Sequence, residues 1–302
     1  MGKIRLSNIC LLALFIFECL AREKTFRLKL YKDDTKTVVS APKKIAFLFM
    51  VYDRLHNEDL WNAYFDKASS PDKFQIFYHQ SANTTQSVLA KHGGIKVPTV
   101  PTGWGELTLA TGMNHMIKVA VREGDPGLHK FIFLSAVCIP VVPFDQMYNE
   151  SIGDDFSYMY KFMKIFSTPY LHRFLFERID ASNYMKHHQQ IMVSRKHAEL
   201  FAEEDEKIIE LFTPPEGYPR VWMADECVHG SYLKHRGLGH EIKDKKITYV
   251  KWSLTELWRA ASFDYIDDAL LEHIRAGGFY FARKFELEGN LTNEMMNKII
   301  SP

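Results

Sequence analysis

Ile45-Ala-Phe-Leu-Phe-Met-Val51 is an unbroken apolar run of strand length, which reads as a β-strand buried on both faces. Leu60-Trp-Asn-Ala-Tyr-Phe65 follows with helical spacing, and Phe74-Gln-Ile-Phe-Tyr78 is a second strand. Strand, helix and strand joined by short connections point to an α/β fold with a mostly parallel central sheet flanked by helices. The pattern continues through a helix over 107–121, with Leu109, Met113, Met116, Ile117 and Ala120 as its apolar stripe. Lys130-Phe-Ile-Phe-Leu-Ser135 is a third buried strand, closed by Ile139-Pro140. Further strands are expected over 189–193, 247–252 and 279–282, with helices over 195–202 and 265–275. No linker divides residues 44–302, so they form a single domain.

Three other features frame that domain. Lys3 and Arg5 precede the apolar run Ile9–Phe17, and Glu18 closes it, so residues 1–21 read as a signal peptide or signal anchor. If it is retained, the basic residues favour a cytoplasmic N-terminus. Residues 22–43 are polar and Lys-rich and read as a short stem. Sequons at Asn83, Asn149 and Asn290 lean the same way, toward a secretory-pathway lumen. Cys10 and Cys19 fall in the leader, which leaves Cys138 and Cys227 as a pair that could bridge. A net charge of +1 gives no case for a nucleic-acid partner.

Several chemistries lack their motif. There is no G-x-G-x-x-G, Walker loop, H-E-x-x-H, C-x-x-C or G-x-S-x-G, and the scattered histidines read as solvated surface residues. D-x-D is also missing, and the acidic clusters at 203–206 and 267–268 read as solvated helix faces. Two candidates remain. Asp225-Glu226 lies in apolar surroundings that would raise a carboxylate's pKa and suit it to general-base work. The same pair could simply cap a helix. Arg283-Lys284 ends a buried strand, where the two cations could meet an anion or snorkel to solvent. A glycosidase is disfavoured, because its carboxyls must flank the bond from opposite sides, unlike adjacent residues.

Taken in order, these segments resemble the core-2/I-branching β-1,6-N-acetylglucosaminyltransferase family, and its plant-type members most. Lys44-Ile-Ala-Phe-Leu-Phe49 and Gln75-Ile-Phe-Tyr-His79 look like its first strands, and Gly103-Trp-Gly-Glu-Leu-Thr-Leu109 is similar to its W-G-x-x-[ST]-L turn. Phe133-Leu-Ser-Ala-Val-Cys-Ile-Pro140 resembles L-S-x-x-C-I-P, and Lys186 to Arg195 resembles K-x-x-Q-W-x-x-x-x-R. Asp225-Glu226 matches a D-E pair, Val250-Lys-Trp252-Ser a V-x-W-S, and Phe281-Ala-Arg-Lys-Phe285 an F-A-R-K-F. Gln190 stands where the family usually has Trp, and Ser81 where animal members have Asp.

The resemblance implies a fold related to the nucleotide-sugar-binding GT-A architecture and an inverting transfer from a UDP-sugar without a metal cofactor. It implies Glu226 as the base, with Lys284 and Arg259 on the donor diphosphate. Ser81, Trp104, Ser135 and Gln189 are implied as donor-site residues. Arg283, alternating to the opposite face from Lys284, is expected to serve structure. The sugar would be N-acetylglucosamine first, with xylose or glucuronic acid as alternatives, and the acceptor a glycan or glycoprotein. The location would be the Golgi lumen, as a type II membrane protein, or secreted if the leader is cleaved. The rival reading is a catalytically inactive lumenal glycan-binding protein on the same fold.

Overall fold

The computed structural model describes residues 42–161, 173–221, 223–253, 260–263, 265–286 and 291–301. All of them lie in the unit Pro42–Pro302. The leader, nearly all of the stem, Asn290 and Arg259 lie outside the described residues.

β1 (Lys44–Val51) leads through a short loop to α1 (Glu58–Asp66), then β2 (Phe74–Gln80) and the short β3 (Ile95–Lys96). α2 (Leu107–Glu123) returns the chain to β4 (Leu128–Ser135), and β5 (Ile139–Pro140) follows. After α3 (Phe144–Ser151) come β6 (Ser157–Tyr158), α4 (Arg173–Phe176), β7 (Met192–Ser194), α5 (Arg195–Glu203) and α6 (Asp205–Phe212). α7 (Val228–His235), β8 (Ile242–Lys243), β9 (Thr248–Val250), α8 (Asp268–Ala276), β10 (Phe281–Arg283) and α9 (Asn293–Ile300) complete the described part.

The central sheet has the order β3-β2-β1-β4-β7-β6-β8. β1 pairs in parallel with both β2 and β4, and β2 with β3, whereas β7 runs antiparallel to β4. The mixed α/β class expected from the strand–helix–strand pattern is therefore observed. Both faces of β1 are covered, as an unbroken apolar run requires. Ile45, Phe47, Phe49 and Val51 enter one core with Trp61, Tyr64 and Phe65 of α1. Ala46 and Leu48 enter a second core with Met113, Met116 and Ile117 of α2. Each phenylalanine sealed this way contributes roughly 1.5–3 kcal/mol. On the first face the rings meet edge to face, with Phe47 at 5.0 Å from Phe65 and Phe49 at 4.9 Å from Trp61.

Several expectations are corrected. The stripe of α2 is centred on Ala110, not Leu109, which is only half-buried. Residues 189–191 are irregular, so the strand expected there is confined to β7. β9 and β10 do not extend the central sheet; with β5 they form a separate sheet in the order β5-β10-β9. Cys138 and Cys227 are both free and buried, one in each core on opposite faces of the sheet, so they do not bridge. The histidines are not all surface residues: His79, His187, His188, His197 and His229 are buried. Nor are the acidic clusters merely solvated. Glu204 accepts from Tyr232 at 2.8 Å and pairs with Arg236, and Asp267 caps α8 by accepting from Leu270 N.

Candidate active site

Ligands of open α/β sheets collect at the carboxyl ends of the parallel strands. Here β1, β2 and β4 end together: Ser81 N donates to Val51 O at 3.1 Å, and Ala136 N to Met50 O at 3.1 Å. Ser81 leaves β2 exposed, its Oγ 3.0 Å from Thr102 Oγ1. Two residues on, Trp104 is 70% exposed in the turn that opens α2, a large apolar ring left in solvent at the rim of this edge. Ser135, at the end of β4, is turned inward, with its Oγ 3.2 Å from Cys138 Sγ.

From the Trp104 turn, hydrogen bonds lead to the carboxylate pair. Gly105 has φ +69°, which only glycine adopts without strain, and its carbonyl accepts from Met223 N at 2.9 Å. Ala224–Glu226 then form one tight turn ahead of α7. This arrangement overturns the capping alternative, since neither Asp225 nor Glu226 caps α7, and Asp225 Oδ1 is buried with no hydrogen-bond partner among the described residues. Burial, reinforced by the Glu226 charge, pushes the Asp225 carboxyl up to about 7. Glu226 is the more open of the two, and Lys186 Nζ donates to its Oε2 at 2.6 Å. The segment carrying Lys186 is pinned to the same turn through His187 N, which donates to Glu226 O at 2.7 Å.

That segment continues to Gln189 and Gln190, whose side chains bond to each other at 3.0 Å. Gln190 Oε1 accepts from Arg283 at 3.2 Å, so the residue standing in place of the family's Trp holds the cation that ends β10. Arg283 lies close enough to Asp225 to favour its ionised form, and its Nε is buried with no hydrogen-bond partner among the described residues. Lys284 follows, with Nζ 3.6 Å from Glu286. Phe285 N donates to Val137 O at 2.9 Å, which closes the circuit back to the loop after β4.

One edge of the fold thus carries the residues singled out in the sequence, in two groups. Lys186 holds Glu226 beside Asp225, and Gln189 and Arg283 are joined through Gln190, while Ser81, Trp104, Ser135 and Lys284 stand on the strand-end loops. Lys186, which holds Glu226, was not singled out in the sequence, although it is the first letter of the K-x-x-Q segment. Arg283, expected to serve structure, donates to Gln190. Chemically, a partly buried carboxylate held by a lysine can accept a proton, and cations nearby can steady an anion.

Two acidic side chains away from this edge, Asp154 and Asp268, are engaged by lysines. Asp154 accepts from Lys130 at 2.8 Å and from Tyr158 at 2.7 Å, and Asp268 binds Lys298 with both oxygens.

A family model described as "Branch: Core-2/I-Branching enzyme" matches residues 45–276. The chain is 24% identical over 237 residues to "Glycosyltransferase BC10" of Oryza sativa subsp. japonica, covering 70% of this chain. It spans 58% of the length of that relative. Among solved structures, the bifunctional glycosyltransferase WbbM in its apo form aligns with a TM-score of 0.44 at 8% identity, over 86% of this chain and 48% of that one. A glycosyltransferase involved in glycosylation of the major capsid of PBCV-1 aligns with a TM-score of 0.41 at 9% identity, over 80% and 93%.

Proposed function

Because the chain belongs to the core-2/I-branching enzyme family of glycosyltransferases, we propose that it transfers a sugar from UDP to a hydroxyl of a glycan or glycoprotein, with inversion and with Glu226 as the base. The observation that carries this reading is the Glu226 carboxylate, held at 2.6 Å by Lys186 on a turn tied to the carboxyl edge of the sheet. An inverting displacement needs a base on the acceptor side to take the hydroxyl proton as the new glycosidic bond forms. Lys186 would hold that carboxylate in one orientation, and the buried Asp225 behind it would keep its proton through much of the range below pH 7.

The departing UDP gains negative charge, and fixed cations can stabilise it without reorganising. Lys284 is the described residue proposed for that task, with Arg259 as its partner, and no metal cofactor is invoked. N-acetylglucosamine is the first sugar to test, followed by xylose and glucuronic acid. The basic and apolar pattern of residues 1–21 supports placement in the Golgi lumen as a type II membrane protein, or secretion if that segment is cleaved. No described helix is long and apolar enough to cross a membrane.

A panel of UDP-sugars, each assayed for thermal stabilisation and for UDP release, tests the proposal. A ligand at a hundred times its Kd stabilises the folded state by about 2.7 kcal/mol. Stabilisation together with UDP release supports the transferase. Stabilisation by UDP-sugars with no turnover on any acceptor would favour the inactive glycan-binding protein, and no response to any of them would reject both donor and activity.

A further inference from the structure

Gln189 and Gln190 follow Lys186 on the segment that holds Glu226, and their amides form a chain with Arg283 whose direction is set by chemistry. A guanidinium carries N–H groups and no acceptor, so Arg283 can only donate. At 3.2 Å from its Nη1, the Gln190 amide must therefore present Oε1. That turns Gln190 Nε2 toward Gln189, where it donates to Oε1 at 3.0 Å. With its oxygen taken, Gln189 is left with its own Nε2 as a donor. Reversing the Gln189 amide would set N–H against N–H, and reversing both amides would set one against Arg283. Gln190 is 4% exposed and Gln189 half-buried, so the chain runs from the interior toward a surface that a ligand can reach. Among the described residues nothing accepts from Gln189 Nε2. Gln189 stands three positions from Lys186, which keeps their Cα atoms within roughly 11 Å even in a fully extended chain. Lys186 Nζ in turn is 2.6 Å from Glu226.

We propose that Gln189 donates to the carbonyl oxygen of a C2 acetamido group on the donor sugar, with Gln190 and Arg283 as positioning residues that hold its amide N–H outward. The inference rests on the transferase reading and chooses among the sugars that reading leaves open. A sugar reacting at its anomeric carbon beside Glu226 carries its C2 substituent on the next carbon. An amide carbonyl accepts and cannot donate, so it complements a fixed N–H. A C2 hydroxyl, as in glucose, xylose or glucuronic acid, is the weaker acceptor and brings a hydrogen of its own. A site built to hydrogen-bond one substrate group discriminates against the analogue that lacks it.

The test is an NMR titration of the full chain with UDP, UDP-N-acetylglucosamine and UDP-glucose. The wild type should bind UDP-N-acetylglucosamine about fivefold more tightly than UDP-glucose, the size of one neutral hydrogen bond. Gln189→Met keeps the length and removes the donor, and should bring the two within roughly twofold while UDP affinity stays unchanged. Gln190→Glu separates the chain from a local contact. Its carboxylate still accepts from Arg283 but has no N–H for Gln189, whose amide should turn over to donate inward, so the preference should vanish with Gln189 intact. If that variant loses its thermal transition, Gln190→Met takes its place and should at least halve the preference. Equal binding of the two UDP-sugars by the wild type, or an undiminished preference in Gln189→Met, would overturn the contact. An undiminished preference in the Gln190 variant would overturn the positioning role. Loss of UDP affinity in step with the UDP-sugars would also overturn the contact, by assigning this segment to the diphosphate. If UDP itself does not bind, the UDP-sugar reading falls, and methyl N-acetyl-β-D-glucosaminide beside methyl β-D-glucoside decides the contact. A preference lost in Gln189→Met would then keep it, and equal binding would overturn it.

Discussion

Lys186 donates to Glu226 Oε2 at 2.6 Å, and His187 N binds the Glu226 carbonyl at 2.7 Å, so one short segment grips both ends of this residue. A carboxylate tethered in this way has little freedom to turn from a bound hydroxyl.

Lys186→Met should therefore lower turnover by about 10–10³-fold, less than removal of the base itself. A lysine that only supports the fold would lower the thermal transition of the variant along with its rate. One that orients the base should lower kcat while the thermal transition and UDP affinity are kept. Lys186→Arg should restore part of the rate.

Acid stability has a definite sign. Burial lowers His187 to about 4 and His229 to about 3, so between those values and about 6.5 the unfolded chain binds two protons that the folded chain does not. Asp225 acts in the opposite direction, because from about 4 to about 7 the folded state keeps a proton that the unfolded state has lost. Two against one leaves these groups with net loss of stability as pH falls from about 6.5 to 4, at roughly 1.4 kcal/mol per pH unit. Asp225→Asn removes the opposing group. The stability of that variant relative to wild type should rise by up to roughly 4 kcal/mol between pH 4 and 7, and then stay level. Urea unfolding at a series of pH values measures both slopes.

The parts of the fold legible in the sequence were those set by burial on both faces. β1, β2 and β4 are long apolar runs, and their limits lie within two residues of the expected ones at either end. β7 was misjudged because Gln189 and Gln190 lie outside the ladder, where Gln190 donates to Gln189 and accepts from Arg283, a residue 93 positions away in sequence. The histidines were misread for a similar reason. His229 is buried because Asn114 of α2 lies 2.9 Å from its Nε2, which local composition could not show. At the site, the residue types and their order were visible as a family likeness. The Lys186–Glu226 pair and the Arg283–Gln190 bond are tertiary facts, made by segments 40 or more residues apart.

The turn linking Trp104 to Glu226 offers a separate test. A Cβ on Gly105 would lie 3.1 Å from Met223 Sδ and would occupy a φ of +69°. Gly105→Ala should cost about 1 kcal/mol from the backbone alone. It should also weaken the Met223 N to Gly105 O bond that positions the Asp225-Glu226 turn, so turnover should fall more than UDP affinity does.

The proposed cationic leaving-group site predicts activity that persists in excess chelator with no added manganese or magnesium. Lys284→Ala should reduce turnover and UDP affinity together, by about tenfold or more each. Chelator-sensitive activity restored by manganese would replace the clamp with a metal site.

The central claim is that Glu226 takes the acceptor proton in sugar transfer from UDP, and the rate of UDP release by Glu226→Gln beside wild type tests it most directly. With an active UDP-sugar and acceptor, the account predicts a rate about 10²–10⁴ lower for the variant, with UDP bound as tightly as before. A Glu226→Gln variant that releases UDP at the wild-type rate would contradict it.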